Sequence, residues 1–243
     1  MDLSAIFAPD RVAVVGATDR EGSVGRAVFS NLLDRFDGTV VPVNRDRETV
    51  LGHACRDSVT DVDGDLAVVV VPAEGVVDVI REAGRAGYRA AVVISAGFGE
   101  SGAAGAARER ELRAAAAEYD LALVGPNCLG VVSTPRGLDA TFSPRTALPG
   151  DIAFMSQSGA FVTAVLDWAG DRGLGFRDVV SLGNKAVLDE TDFVRYWGDD
   201  TETEVVAGYL EDVADGRAFV EACREVTRET PVVVVKSGRT AAG

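Results

Sequence analysis

Strand-like and helix-like segments alternate along this 243-residue chain, and that alternation restricts its fold more than any other feature. Residues 11–15, 39–43, 65–71, 90–95 and 122–124 read as strands. The third, Asp-Leu-Ala-Val-Val-Val-Val, is apolar on both faces, as a central strand of a parallel sheet must be. Residues 22–36, 76–86 and 104–119 between them have helical character. Repeated βα units imply parallel sheets with helices on both faces. Past residue 124 the pattern lapses, and Thr134-Pro135-Arg136-Gly137, Ser143-Pro144-Arg145 and Pro149-Gly150 mark a linker or crossover. It then resumes, with strands expected over 152–156, 178–182, 205–210 and 232–236 and helices near 160–171, 191–198 and 218–228. The expected architecture is α/β: a Rossmann-like domain over residues 1–145 and a flavodoxin-like parallel α/β domain over residues 146–243.

Composition narrows the partners. A net charge of −14 argues against nucleic acid or an anionic membrane surface. No apolar run approaches the roughly 20 residues that span a bilayer, and Met-Asp-Leu-Ser lacks the basic start of a signal peptide, so a cytoplasmic location is expected. Lysine occurs only as Lys185 and Lys236, a balance that fits a halophilic source or simply a well-solvated acidic surface. Cys55, Cys128 and Cys223 have no metal-ligand spacing, and with His53 the one histidine, no metal residues are assigned.

Two turns carry the chemistry. Ser156-Gln157-Ser158-Gly159 joins a strand to a helix and exposes backbone N–H groups at a helix N-terminus, a seat for phosphate. A second seat follows the first strand: Gly16-Ala17-Thr18, then Gly22-Ser23-Val24-Gly25. This loop is longer than G-x-G-x-x-G, and the amides of residues 23–26 are expected to face an anion. The next strand ends Val43-Asn44-Arg45, placing arginine where an NAD site places an acid; it suits a phosphorylated ribose, as in NADP or coenzyme A. Val71-Pro72-Ala73 and Ser95-Ala96-Gly97-Phe98 end later strands in small or apolar residues, a groove for a long thin ligand. Cys128 has no histidine to serve as its base and reads as a small buried residue. Ser158 lacks the G-x-S-x-G setting of a hydrolase nucleophile. Lys185, in Gly183-Asn184-Lys185, either adds charge beside the phosphate seat or is an exposed loop lysine.

These loops, in this order and together with Gly125-Pro126-Asn127-Cys128-Leu129-Gly130, resemble the CoA-binding part of the NDP-forming acyl-CoA synthetases. Those are the ADP-forming acetate–CoA ligases, relatives of the succinyl-CoA synthetase α subunit. The resemblance covers essentially the whole chain. It implies the reversible conversion of acyl-CoA, ADP and phosphate to acid, CoA and ATP through a phosphohistidine. ATP or ADP with Mg would sit on a separate ATP-grasp module, a partner domain or subunit, and the enzyme could oligomerise. By position, Gly16, Thr18, Ser23, Val24 and Gly25 would hold CoA phosphates, and Asn44 and Arg45 the adenosine end with its 3′-phosphate. Pro72, Ser95, Ala96 and Gly97 would line the groove, with Asn127 and Cys128 at the thiol end. Ser156, Gln157, Ser158, Gly159 and Lys185 would bind phosphate, and Glu211 would orient the phosphohistidine. The family's Ser-His-Thr-Gly loop is missing from these 243 residues, and His53, in an exposed first-domain loop, cannot replace it. A part of a longer enzyme is therefore expected, inactive alone. The alternatives are a non-catalytic CoA or acyl-CoA sensor and an NADP-dependent oxidoreductase.

Overall fold

The computed structural model describes residues 3–237. Its first half runs α1 (Ser4–Phe7), β1 (Arg11–Val15), α2 (Val24–Arg35), β2 (Thr39–Val43), β3 (Thr49–Val50) and β4 (His53–Ala54), then β5 (Leu66–Val69), α3 (Ala73–Arg85), β6 (Ala90–Val93), α4 (Ala103–Glu118) and β7 (Ala122–Val124). The second half runs β8 (Gly130–Ser133), β9 (Leu138–Thr141), β10 (Leu148–Ser156), α5 (Gly159–Gly170), β11 (Gly175–Ser181), α6 (Glu190–Gly198), β12 (Val205–Leu210), α7 (Gly216–Val226) and β13 (Val232–Lys236).

The first sheet has the order β2-β1-β5-β6-β7, and every pairing in it is parallel. The chain leaves β1 in one direction to make β2, then returns to the other side of β1 to make β5. That reversal is a topological switch point, where open α/β sheets bind ligands at the strands' carboxyl ends. The second sheet has the order β13-β12-β10-β11-β8-β9, with a second switch point between β10 and β12. The doubly wound expectation holds, with one difference. The second sheet is mixed: β8 pairs antiparallel with both β11 and β9. The stretch read as a linker thus contains a hairpin, turned at Gly137 with φ of 60° and belonging to the second sheet.

Helices α3 and α4 pack on one face of the first sheet through Val76, Ile80, Leu112 and Ala116. On the other face α2 joins a core that continues into the second sheet through Met155, Val180, Val206 and Trp197. Phe7 stacks on Tyr196 at 5.2 Å and meets Phe193 edge-on at 6.1 Å. Side chains of this size each contribute about 1.5–3 kcal/mol when fully buried. Helix α5 covers the opposite face of the second sheet with Val162, Leu166 and Ala169.

Helix starts are chemically marked. Ser23 caps α2 by accepting the Arg26 N–H, and Ser158 caps α5 by accepting that of Phe161. Asp189 and Asp192 form a reciprocal capping box at α6. Among the described residues no helix is long and apolar enough to cross a membrane.

Candidate functional site

A cavity of about 870 Å³ lies between the carboxyl ends of the two sheets. Val70–Ala73, Ile94–Ala96 and Asn127–Leu129 line it from the first half, and Gln157, Gly159, Ala160 and Thr163 from the second. A second cavity of about 580 Å³ shares Val70, Val71 and Pro72 with it and holds Gly16, Asn44 and Arg45. A third, of about 410 Å³, shares Asn127 and Gln157 and holds Glu100, Glu109, Asn184, Lys185, Glu211 and Asp212. Two doubly wound sheets therefore direct their switch points at one connected cleft.

The N-termini of α2 and α5 both reach the largest cavity, through Val24 and through Gly159 and Ala160. Each end is partly self-satisfied. The Ser23 N–H donates to Arg20 O, and the Arg26 N–H is taken by Ser23 Oγ. Of residues 23–26, expected to offer four amides, only the Val24 and Gly25 N–H groups have no acceptor among the described residues and remain for an anion. At α5 the corresponding pair is Gly159 and Ala160, since Ser158 caps Phe161. Two free amides and a positive helix end converge from each side on the same space. Gly25 is required here: a Cβ at this position would lie 2.3 Å from Gly16 O.

Several expected ligand side chains brace loops instead. Asn44 donates to Ala17 O at 2.8 Å and accepts the Asp46 N–H at 3.0 Å, which leaves Arg45 exposed and without an ion pair among the described residues. Thr18 accepts the Arg20 N–H at 3.2 Å. Ser95 donates to Val71 O at 2.5 Å, tying the ends of β5 and β6. The Gly97 N–H donates to Glu100. Ser156 is fully buried, its hydroxyl donating to Ser158 O and accepting the Ser158 N–H. Of the Ser-Gln-Ser-Gly turn, only Gln157 and Gly159 face the cavities.

Gln157 spans the second switch point. Its Oε1 accepts the N–H groups of Glu211 at 2.6 Å and Asp212 at 2.9 Å. The Glu211 main chain is also held by Lys236, which donates to its carbonyl at 2.6 Å, while the exposed Glu211 carboxylate has no hydrogen bond among the described residues. Lys185 is not the exposed lysine considered above. Its side chain is 6% exposed and donates to Glu190 at 2.9 Å and to the Asp212 carboxylate. Burial raises the Cys128 thiol to about 12, and its Sγ donates to Val93 O at 3.3 Å. A thiol so placed is a lining group and no nucleophile. His53 is exposed on β4, its ring 5.6 Å from that of Phe29.

Two contributors escaped the sequence reading. Arg20 lines the largest cavity with no ion-pair partner among the described residues. Its place in the first glycine loop was the available signal. Glu100 links the two halves: burial raises its carboxyl, but hydrogen bonds from Asn184 and from the Gly97 and Phe98 amides outweigh that and bring it down to about 2. Nothing local in the sequence announces that contact, made 84 positions away.

Helix N-termini at both switch points, beside Arg20 and Arg45, which have no ion pair among the described residues, give the cleft the chemistry of an anion-binding site in an α/β protein of two sheets. The chain belongs to the CoA binding domain family, whose model matches residues 10–134, and residues 149–243 match that of the succinyl-CoA ligase like flavodoxin domain. It is 48% identical to acetate–CoA ligase [ADP-forming] I of Archaeoglobus fulgidus, over 99% of this chain and 35% of that protein. It is 40% identical to the alpha subunit of acetate–CoA ligase [ADP-forming] I of Pyrococcus furiosus, over 100% of this chain and 54% of the subunit. Among solved structures it superposes with a TM-score of 0.94 and 38% identity on a dinucleotide-forming acetyl-coenzyme A synthetase 1 of Ca. Korarchaeum cryptofilum, in complex with phosphate and ADP, covering 100% of this chain and 53% of that one. The chain thus spans between 35% and 54% of the lengths of these relatives.

Proposed function

We propose that these residues form the CoA- and phosphate-binding part of an ADP-forming acid–CoA ligase. The observation that carries this reading is the connected cleft that runs from Arg45 past Pro72 to the N-terminus of α5. Its cationic and amide groups, Arg45 at one end and the Val24 and Gly25 amides with Arg20 further along, suit a ligand that is anionic at separate points, as CoA is. Arg45, positioned by the Asn44 brace and by Gly16, takes the 3′-phosphate at the adenosine end. The Val24 and Gly25 amides take the pyrophosphate, with Thr18 and Ser23 holding their loop in shape and the Arg20 guanidinium beside them. Pro72, Ser95, Ala96 and Gly97 guide the pantetheine chain toward Asn127 and Cys128. There the thioester meets phosphate held by the Gly159 and Ala160 amides, at the turn that Ser156 and Ser158 stabilise. Fixing that anion beside the acyl carbon supplies proximity and charge neutralisation together.

Glu211, held by its main chain and with its carboxylate unpaired among the described residues, lines the third cavity, where on this reading a phosphoryl-carrying imidazole would enter. A carboxylate on one ring nitrogen fixes the tautomer that leaves the other nucleophilic. The histidine, the ATP-grasp partner and the Mg-bound nucleotide belong, on this reading, to parts outside these 243 residues. The first-half residues serve CoA and the second-half residues serve phosphate, a division that falls between Cys128 and Ser156, with the β8–β9 hairpin on the second sheet's side.

Isothermal titration tests the reading: CoA should bind one-to-one, and binding of NADP without CoA would overturn it. Given acetate, CoA, ATP and Mg, the 243-residue chain should form no acetyl-CoA and no phosphohistidine; labelling of His53 would refute that assignment.

A further inference from the structure

The loop between β11 and α6 makes contacts in two directions. On one side the Asn184 N–H donates to Pro126 O at 2.9 Å, that of Ala186 to Gly125 O at 2.9 Å, and that of Leu188 to Leu123 O at 3.2 Å. These bonds cover the otherwise open β7 edge of the first sheet. The Asn184 side chain donates to Glu100 at 2.6 Å and Glu109 at 2.8 Å, and accepts from Asn127 at 3.2 Å. The next residue faces the second sheet. Lys185, with φ of 56°, donates to Glu190 and to the carboxylate and carbonyl of Asp212. Glu190 is fully buried, and its second oxygen accepts the Ala214 N–H at 2.6 Å.

Consecutive residues therefore tie the lining of the CoA groove, through Asn127, to the loop that carries Glu211, through Asp212 and Ala214. The contacts run without a break from Asn127 through Asn184 and Lys185 to Asp212 and Ala214, so a shift at one end has a continuous path to the other. We propose that Asn184 and Lys185 are positioning residues that couple occupancy of the CoA groove to the placement of Glu211. The proposal rests on the CoA reading above. It assigns the Lys185 charge to Glu190 and Asp212, so that this lysine acts on phosphate only through the Glu211 loop.

Amide exchange followed by NMR in the 243-residue chain tests it, read at Glu211, Asp212 and Ala214, whose N–H acceptors are known. CoA should slow exchange there by about fivefold or more, the lower range of ordinary coupling between sites. Asn184→Ala and Lys185→Met should bind CoA within about threefold of wild type and lose the slowing, and Lys185→Arg should restore part of it. If Lys185→Met does not fold, Lys185→Met/Glu190→Gln, which buries no unpaired charge, takes its place. CoA binding with unchanged exchange in the wild type, or slowing that persists in either variant, overturns the coupling alone. Absence of CoA binding to the wild type overturns the CoA reading, and the coupling with it.

Discussion

Gln157 and Asp212 hold each other by two hydrogen bonds across the switch point of the second sheet: the Asp212 N–H donates to Gln157 Oε1 at 2.9 Å, and Gln157 Nε2 donates to Asp212 Oδ1 at 2.7 Å. The pair explains why a glutamine stands between the two serines of the turn. A glutamate there would accept the main-chain amides but place a second carboxylate against Asp212. Like charges at this spacing resist joint ionisation. Gln157→Glu is therefore expected to be near wild type in stability at pH 4 and to lose stability as pH rises to 7. Urea denaturation at the two pH values checks this; a deficit independent of pH would contradict it.

The buried Lys185–Glu190 pair sets a second expectation. Lys185→Met strands the Glu190 carboxylate, which is fully buried, and breaking such a pair costs about 3–5 kcal/mol. Lys185→Met/Glu190→Gln removes both charges and should be clearly more stable than the single variant. Equal unfolding free energies for the two would show that the pair is not coupled.

Asp178 provides a pH signature remote from the cleft. Burial raises its carboxyl to about 6, against hydrogen bonds from Ser133 and Trp197, and its Oδ1 has no partner among the described residues. A carboxyl raised on folding favours the native state below its unfolded value, near 4, and that contribution disappears as pH climbs through 6. Relative to Asp178→Asn, whose side-chain oxygen can still accept from Trp197, the wild type should lose about 2 kcal/mol between pH 4 and pH 7. Thermal melts of both proteins across that range give the difference directly, and parallel pH profiles would refute it.

Cysteine labelling separates lining from reactivity. With its thiol raised to about 12, Cys128 should resist iodoacetamide at pH 8 in the native protein. Cys55 and Cys223, both partly exposed, should label first. Peptide mapping by mass spectrometry distinguishes the three, and rapid native labelling of Cys128 would contradict its burial.

The parallel strands of both sheets were legible because they read as short apolar runs between helical segments; 11–15, 39–43, 205–210 and 232–236 coincide with β1, β2, β12 and β13, although β13 is largely exposed. The hairpin β8–β9 was not legible. Its strands are short, the second carries buried Asp139 and Thr141 that bond to each other, and its turn contains Pro135. The site was legible as a set of loops but not as a set of ligands. That Ser156 and Asn44 satisfy backbone groups, and that Lys185 reaches Glu190 and Asp212, depends on how loops fold against one another. No spacing rule contains that information. The same limit hid the Glu100–Asn184 contact.

The central claim is that the cleft from Arg45 to Gly159 binds CoA with its 3′-phosphate at Arg45. Calorimetric titration of CoA and of dephospho-CoA into wild type and Arg45→Ala tests it most directly. Wild type should bind CoA about tenfold or more tightly than dephospho-CoA, the scale of one charge-assisted contact. Arg45→Ala should bind the two ligands equally, at the wild-type affinity for dephospho-CoA. Equal affinities in the wild type, or a preference for CoA that survives Arg45→Ala, would contradict the placement.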